Sequence, residues 1–167
     1  AFRVPTIAWW PGHIPANVQD SDHLISSVDI AATICDYAGA PPLPKTTIAK
    51  SMRPLLEQRN GSWRDYIVGE TSIGPLSAAI VEERYKSIIF TDHTRLYDLQ
   101  NDPLEMRDLA NDPDHRETLA RHRAHLREYI AQIEMYTEPD NVEEMALARG
   151  NLYREYNDWY TSVLNEA

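Results

Sequence analysis

Four short β-prone segments lie close together between residues 65 and 99, and they constrain the fold more than any other feature of this chain. Their branched and aromatic residues favour strands, and turn-forming residues separate each segment from the next. Short strands divided by short turns are typical of an antiparallel meander. We therefore predict strands at 66–68, 79–81, 85–90 and 96–99, with a hairpin turn over 91–94.

The first 40 residues predict a strand, a loop and a helix. The apolar run from Val4 to Trp10 favours a strand covered on both faces, as in a parallel α/β sheet. Ser26 and Asp29 have capping-box spacing. Gly39 is placed to end the helix in the left-handed conformation. The apolar residues at helical spacing are Ile30, Ala31, Ile34, Tyr37 and Ala38.

Two Asp-Pro pairs predict helix starts in the second half of the chain, because Asp caps a helix and Pro suits its first turn. The first pair is Asp102-Pro103, with Glu105 three residues after the cap. The second pair, Asp112-Pro113, precedes a long helix. A last helix is predicted from Val142 to Leu164, and residues 41–63 are predicted to be a loop. The predicted buried stripe of the long helix is Leu119, Leu126, Ile130 and Ile133.

These elements predict an α/β chain whose C-terminal part is α+β. We divide the chain into residues 1–63, a small antiparallel-sheet-plus-helix domain at 64–137, and an acidic, aromatic helical tail at 138–167. The chain does not begin with Met, and we expect it to be a piece of a longer protein. Aromatic stripes occur in cores and at interfaces; the tail's aromatic residues are Tyr153, Tyr156, Trp159 and Tyr160.

The charge balance limits the class of partner. The 167 residues include 16 Lys and Arg against 26 Asp and Glu, a net charge of −10. We therefore expect no general nucleic-acid binding, which needs a basic surface, and no docking on anionic lipid. No stretch approaches the ~20 apolar residues of a membrane span. The single cysteine, Cys35, excludes an intrachain disulfide.

The six histidines are the first candidates for a functional site. His122 and His125 lie three residues apart on the predicted long helix, with His115 two turns earlier. Paired histidines on one helix face can bind a metal ion. No carboxylate at helical spacing completes a ligand set, so we expect an exposed, partly charged helix face. The histidines isolated in predicted loops are His13, His23 and His93.

The remaining candidates favour structural roles. Asp36 beside Cys35 disfavours a thiolate, so we interpret this cysteine as a small buried side chain. Asp140-Asn141 could supply oxygen ligands to a cation, but it precedes a helix and is more typical of a cap. The acid pairs Glu82-Glu83 and Glu143-Glu144 are interpreted as solvated. The chain contains no glycine-rich phosphate loop and no Gly-x-Ser-x-Gly motif, and we predict no catalytic, cofactor-binding or metal-binding residue in it.

Several segments, taken in chain order, carry one resemblance. The strongest is Leu96-Tyr97-Asp98-Leu99, followed by Asp102-Pro103-Leu104-Glu105. Val28-Asp29-Ile30 with Thr33 is another, and the rest are Arg3-Val4-Pro5 with Trp10-Pro11-Gly12, Ser51 to Leu56, and Arg84-Tyr85-Lys86. Over residues 2–133 these segments resemble the sulfatases of the alkaline phosphatase superfamily. That family has Leu-Tyr-Asp-Leu-x-x-Asp-Pro-x-Glu and Val-Asp-x-x-Pro-Thr motifs, and here Ala32 replaces the Pro before Thr33.

The resemblance implies the C-terminal portion of a sulfatase. Residues 1–40 would then be the last strand and helix of the large α/β domain, and residues 65–135 the small C-terminal domain. In that family a Cys or Ser within Cys/Ser-x-Pro-Ser-Arg is matured to formylglycine, and a divalent cation (Ca or Mn) binds nearby. This chain lacks that motif. The resemblance thus implies a chain that supports the active-site half, contributes to the pocket rim and is inactive alone, with the missing N-terminal catalytic half as its partner.

Two alternatives stay open. One is the C-terminal part of a phosphonate monoester or phosphodiester hydrolase of the same superfamily. The other is a non-catalytic interaction or oligomerisation module. The aromatic tail suggests the second alternative, with a homo-oligomer formed through residues 140–164.

Overall fold

The computed structural model describes residues 4–41, 48–59, 61–71, 76–132 and 151–165. The chain forms two compact units, Ala1–Arg64 and Asp65–Ala167. The predicted combination of helices with a small antiparallel sheet is confirmed. Among the helices within these ranges, none has the length and apolar character needed to cross a membrane.

The first unit contains helix α1 (Ser27–Ala38) and the short helix α2 (Arg53–Leu56). The start and end of α1 are as predicted. Asp29 Oδ2 accepts a hydrogen bond from the Ser26 N–H at 2.7 Å, and Gly39 follows the helix with a φ of 64°. The segment predicted to be a loop contains one helical turn, with Pro54 in its first positions, where a missing N–H does no harm.

The residues from Val4 to Trp10 do not form the predicted strand. They have no regular secondary structure and belong to no strand of the described sheet. Val4, Ile7 and Trp9 are 69%, 91% and 83% exposed. A strand exists only through hydrogen bonds to a neighbouring strand, and the described residues supply no such neighbour to this run.

Helix α1 buries polar residues and exposes apolar ones. Ile30 and Ile34 are 44% and 65% exposed, whereas Asp29 and Thr33 are 0% and 6% exposed. The apolar residues at helical spacing therefore do not form the buried face of this helix in the first unit.

The buried face of α1 is held by directional hydrogen bonds. Asp29 Oδ1 accepts from the Lys50 N–H and from Arg64 Nη2, both at 2.8 Å. Thr33 Oγ1 accepts from the Met52 N–H at 2.8 Å. Because a buried carboxylate needs such partners, α1 packs against the segment around residues 48–53 through its polar face.

The second unit is built on a four-stranded antiparallel sheet in the order β1-β2-β3-β4. This confirms the predicted meander and its β3–β4 hairpin, in which the Phe90 N–H donates to the His93 carbonyl at 2.9 Å. Tyr66 is paired with Glu82, and Ile80 with Ser87, so these four residues share one face of the sheet. The strands are β1 (Tyr66–Thr71), β2 (Ser77–Glu82), β3 (Tyr85–Phe90) and β4 (Thr94–Asp98).

A 3-10 helix (Pro113–His115) continues into helix α3 (Arg116–Gln132), which packs on β1, β2 and β3. This confirms the second Asp-Pro helix start, since the Asp112 side chain accepts from the Asp114 N–H at 3.1 Å. Of the predicted stripe, Leu126 and Ile130 are buried, Leu119 is half-buried, and Ile133 lies outside the described residues.

Asp102-Pro103 does not begin a helix, contrary to prediction. Residues 99–104 form turns, and Glu105 has a φ of 57°, which a right-handed helix excludes. The Asp102 carbonyl accepts from the Glu105 N–H at 3.0 Å, and Asp102 Oδ2 accepts from the Arg107 N–H at 2.8 Å. The Glu105 carboxylate also pairs with the buried Lys86 of β3. These contacts satisfy the segment without helical hydrogen bonds.

The helix predicted in the tail is described as α4 (Asn151–Asn165), which packs on α3. Trp159, Tyr160 and Val163 are buried, and the Tyr160 hydroxyl donates to Glu70 on β1. Residues 142–150 lie outside the described residues, as do the side chains of Tyr153 and Tyr156. The described part of the aromatic stripe therefore belongs to the core of the second unit.

Replacing Gly39 by Ala should lower the free energy of unfolding by about 1 kcal/mol, because a left-handed φ is unfavourable for residues with a Cβ. Crowding is not the cause, since no atom lies within 4 Å of a Cβ built on Gly39. Urea denaturation followed by circular dichroism measures the change.

Gly61→Ala is the matched control for Gly39→Ala. Gly61 also has open space around a Cβ, but it has no left-handed φ. Its replacement should change stability by less than about 0.5 kcal/mol. Equal losses from the two substitutions would contradict the assignment of Gly39 as a conformational requirement.

Candidate functional site

Three basic side chains of α3 converge on the carboxylate of Glu82, at the end of β2. Arg121 Nε and Nη2 donate to the two Glu82 oxygens, each at 2.8 Å. His125 Nε2 lies 3.2 Å from Oε1, and His122 Nε2 lies 3.4 Å from Oε2. We call these four residues, together with Ser87 of β3, the Glu82 cluster.

Local structure explains why these residues meet. Residues three and four apart share a helix face, so Arg121 and His125, and His122 and His125, are neighbours on α3. Glu82 and Ser87 lie on the same face of the sheet, on either side of the turn between β2 and β3. Packing α3 on that face therefore brings the charged ends of the helix side chains over a polar patch of the sheet.

His122 is completely buried, which corrects the expectation of an exposed histidine face. Its neighbour His125 has 21% of its side chain exposed. The missed signal is the interval of seven between Leu119 and Leu126. A continuous helical stripe requires a buried residue at 122 or 123, between those two leucines.

Glu82 also differs from expectation. It is a strand residue with a side chain that is 15% exposed, not a solvated turn residue. Its neighbour Glu83 is exposed, as predicted. Its cross-strand position opposite Tyr66 directs the side chain to the face that α3 covers.

Ser87 determines the tautomer of His122. The Ser87 Oγ lies 2.8 Å from His122 Nδ1, and both residues are 0% exposed. If Nδ1 carried the proton, the lone pair of Nε2 would face the Glu82 carboxylate, which is repulsive. We therefore assign a Ser87 hydroxyl that donates to Nδ1 and an Nε2–H that faces Glu82. At 3.4 Å this N–H is too distant for an ordinary hydrogen bond, and Nε2 makes none.

The ionisation of the cluster follows from burial and charge. Burial raises the pKa of Glu82, but the hydrogen bonds from Arg121, together with the electrostatic effect of the nearby His122 and Arg121, outweigh it, and the net pKa is lowered. Burial is also the largest influence on His122, where it lowers the pKa. Glu82 opposes that lowering, and Arg121 and His125 add to it. At neutral pH the cluster therefore holds Arg121 and Glu82 as an ion pair beside a neutral His122.

Tyr66 closes one side of the cluster. Its ring stacks on His125 with 4.0 Å between the ring centroids. Burial, with a smaller contribution from a hydrogen bond to Glu128, raises the pKa of Tyr66 to about 12. The phenol is therefore neutral throughout the physiological range and acts as an apolar wall for the imidazole.

The cluster does not form an accessible catalytic site. Ser87, His122 and Glu82 follow one another as in a hydrolytic triad, but the Ser87 hydroxyl is buried and no substrate reaches it from solvent. Within the described ranges no three His, Cys, Asp or Glu side chains are placed to hold a metal ion. The donor set of these residues thus does not fit the family's divalent cation, and the chain has no formylglycine motif. We derive no chemical step through either group.

The other histidines each contact an aromatic ring and are not members of the cluster. His13 stacks on Trp10 at 4.1 Å, and His93 stacks on Phe90 at 4.3 Å. The remaining contacts are His115 with Tyr85 and His23 with Trp63, both edge-on.

The last candidates are only partly described. Cys35 is free and half-buried. Asp140-Asn141 and Glu143-Glu144 lie outside the described residues, so their predicted roles as a cap and as solvated charges stay predictions.

Arg121→Gln should lower the free energy of unfolding by about 1 kcal/mol, because it removes the two hydrogen bonds that satisfy the partly buried Glu82. Arg123→Gln is the matched control, since Arg123 is exposed on the same helix. It should change stability by less than about 0.5 kcal/mol. Urea denaturation at neutral pH measures both, and equal losses would contradict the role given to Arg121.

Residues 1–132 match a family model described as N-sulphoglucosamine sulphohydrolase, C-terminal. An arylsulfatase of Clostridium perfringens is 32% identical over 122 residues, which are 70% of this chain and 25% of that protein. A crystal structure described as a sulfatase of Bacteroides thetaiotaomicron has a TM-score of 0.63 and 29% identity, over 72% of this chain and 28% of that one. A structure described as a 2-O GAG sulfatase has a TM-score of 0.61, with the same identity and coverage.

These matches confirm the resemblance inferred from the motifs. This chain spans about a quarter of the length of the relatives it matches. The family model extends from the first residue to the end of α3, which is more than half of the chain. The chain therefore belongs to the sulfatases, in the family of N-sulphoglucosamine sulphohydrolase C-terminal domains.

Proposed function

We propose that this chain acts as the C-terminal portion of a sulfuric ester hydrolase. It supports a separate active-site part, contributes to the rim of its pocket and does not hydrolyse the ester by itself. The observation that carries the proposal is the apolar surface of the first unit.

Large apolar side chains are exposed mainly in the first unit. Of the ten such side chains among the described residues, seven lie there: Val4, Ile7, Trp9, Trp10, Val18, Ile30 and Ile34. Surfaces of this kind usually mark an interaction site. The run from Val4 to Trp10 pairs with no strand among the described residues, and its apolar composition suits it to join a sheet.

A sulfatase offers a partner for that surface. The matched relatives are about four times as long as the matched region, and the resemblance assigns residues 1–40 to the end of their large α/β domain. We propose that the rest of that domain covers Ile30 and Ile34 and supplies the strand that pairs with residues 4–10. We call this remaining part of the domain the covering part. The nucleophile and the divalent cation of the family would then belong to it.

The proposal requires that activity depend on the covering part. We expect the complete polypeptide that carries this chain to hydrolyse an aryl sulfate such as 4-nitrophenyl sulfate, and the 167-residue chain alone to show no turnover above the uncatalysed rate. Release of nitrophenolate measures both. Robust turnover by the isolated chain would overturn the proposal, and a preference for an aryl phosphonate monoester would favour the phosphonate hydrolase alternative.

The position of the interface is tested by Ile34→Asp. In the complete polypeptide the substitution should lower the thermal midpoint and the soluble yield, because an unpaired carboxylate would be buried against the covering part. In the isolated chain it should have little effect, since Ile34 is already 65% exposed.

Leu104→Asp is the matched control for Ile34→Asp. Leu104 is 79% exposed but lies in the second unit. The Leu104→Asp substitution should change the stability of neither the complete polypeptide nor the isolated chain. If Ile34→Asp were as harmless as Leu104→Asp in the complete polypeptide, α1 would not be part of the interface.

The homo-oligomer through residues 140–164 stays a prediction. The described aromatic residues of that tail, Trp159 and Tyr160, are buried within this chain and are not exposed to a second copy.

A further inference from the structure

The proposed function gives no role to the Glu82 cluster. The net charge of this cluster depends on pH. Two histidines and Arg121 face one carboxylate. With His122 neutral, Arg121 and Glu82 compensate each other. With His122 protonated, a second positive charge would face the single carboxylate in the contact between α3 and the sheet.

His122 has no easy way to accept a proton. In the tautomer assigned above, the new proton must go to Nδ1, where the Ser87 hydroxyl already donates. Ser87 would have to reverse its hydroxyl, and neither residue is exposed to water that could replace the lost bond. Adding charge to a group with 0% exposure also carries a large desolvation penalty.

The surrounding charged and titratable groups do not provide a second counter-charge for His122. The groups of this kind around His122 are Tyr66 on β1, Glu82 on β2, Tyr85 on β3, and Arg121, His125 and Glu128 on α3. Glu128 lies 3.9 Å from His125 Nδ1 and is 56% exposed, so it compensates His125 in part. From α4, the Tyr160 hydroxyl bonds to Glu70 instead.

We propose that the Glu82 cluster makes the packing of α3 on the sheet depend on pH. It holds the helix on the sheet while His122 is neutral, and it weakens this attachment when acidification protonates His122. The cluster would thus make the docking of α3, and of the α4 helix that packs on it, weaker in a mildly acidic environment than at neutral pH.

The sign of the effect follows from the pKa of His122 in the folded and in the unfolded chain. Burial lowers its pKa in the folded state, while the unfolded chain keeps the ordinary value of about 6.5. The unfolded or undocked state therefore binds the proton first. The attachment is complete above pH ~6.5 and loses up to about tenfold in its equilibrium constant for each pH unit below that, until the folded-state pKa is reached.

Hydrogen exchange of the α3 amides tests the proposal. Between pH 7.5 and 5.0, protection factors in α3, corrected for the intrinsic exchange rate, should fall, by at most about tenfold for each pH unit below ~6.5. Protection in α1, which belongs to the other unit, should change much less and serves as an internal control.

His122→Asn removes the titrating group and keeps an acceptor for the Ser87 hydroxyl. In this variant the fall in α3 protection should be strongly reduced. His93→Asn is the matched control, since His93 is an exposed histidine of the β3–β4 hairpin, and it should keep the full fall. The proposal would be overturned if His122→Asn kept the full fall, or if the unmodified chain showed none.

A second measurement covers the case in which His122→Asn does not fold. NMR titration of the His122 imidazole in the unmodified chain should give a pKa below the ordinary value of about 6.5. It should also show the protonation of His122 accompanied by shifts of α3 amide resonances. A pKa at or above the ordinary value would overturn the proposal.

Discussion

The position of α3 on the sheet of the second unit depends on the ion pair between Glu82 and Arg121. Apolar burial attracts α3 to the sheet through Leu126 and Ile130, each worth about 1.5–3 kcal/mol, but that attraction has no preferred direction. The two 2.8 Å hydrogen bonds are directional and fix where along the sheet the helix lies. The same geometry places His122 over Ser87 and His125 over Tyr66.

The first unit uses a buried carboxylate in a similar way. Asp29 is 0% exposed and joins the start of α1 to the Lys50 backbone and to the Arg64 guanidinium. Because its hydrogen bonds are made on the polar face of α1, the apolar face remains exposed. The residue that organises this unit thus also determines which face of α1 stays exposed.

Much of the fold could be predicted from local patterns. The meander follows from short β-prone runs between turn residues, and α1 and α3 from caps and helical spacing, because these signals act between residues close in sequence. The predictions that were wrong concern interactions between residues far apart in the sequence. Val4 to Trp10 needs a neighbouring strand to become one, and Asp102-Pro103 forms a turn whose Glu105 is held by Lys86, 19 positions away.

The sequence alone determined the family, the four-strand meander, both ends of α1 and the start of the long helix, because motif order, turn residues and caps can be read locally. Only the tertiary structure decided that Glu82, Ser87, His122 and His125 belong together. Glu82 and Ser87 lie on two neighbouring strands, and the two histidines lie on a helix 35 or more positions further along the chain. Their meeting depends on strand register and on how α3 packs. The interval between Leu119 and Leu126 does not decide whether residue 122 or 123 is buried, so the burial of His122, and with it the pH sensitivity proposed for the cluster, is decided only when the elements pack together.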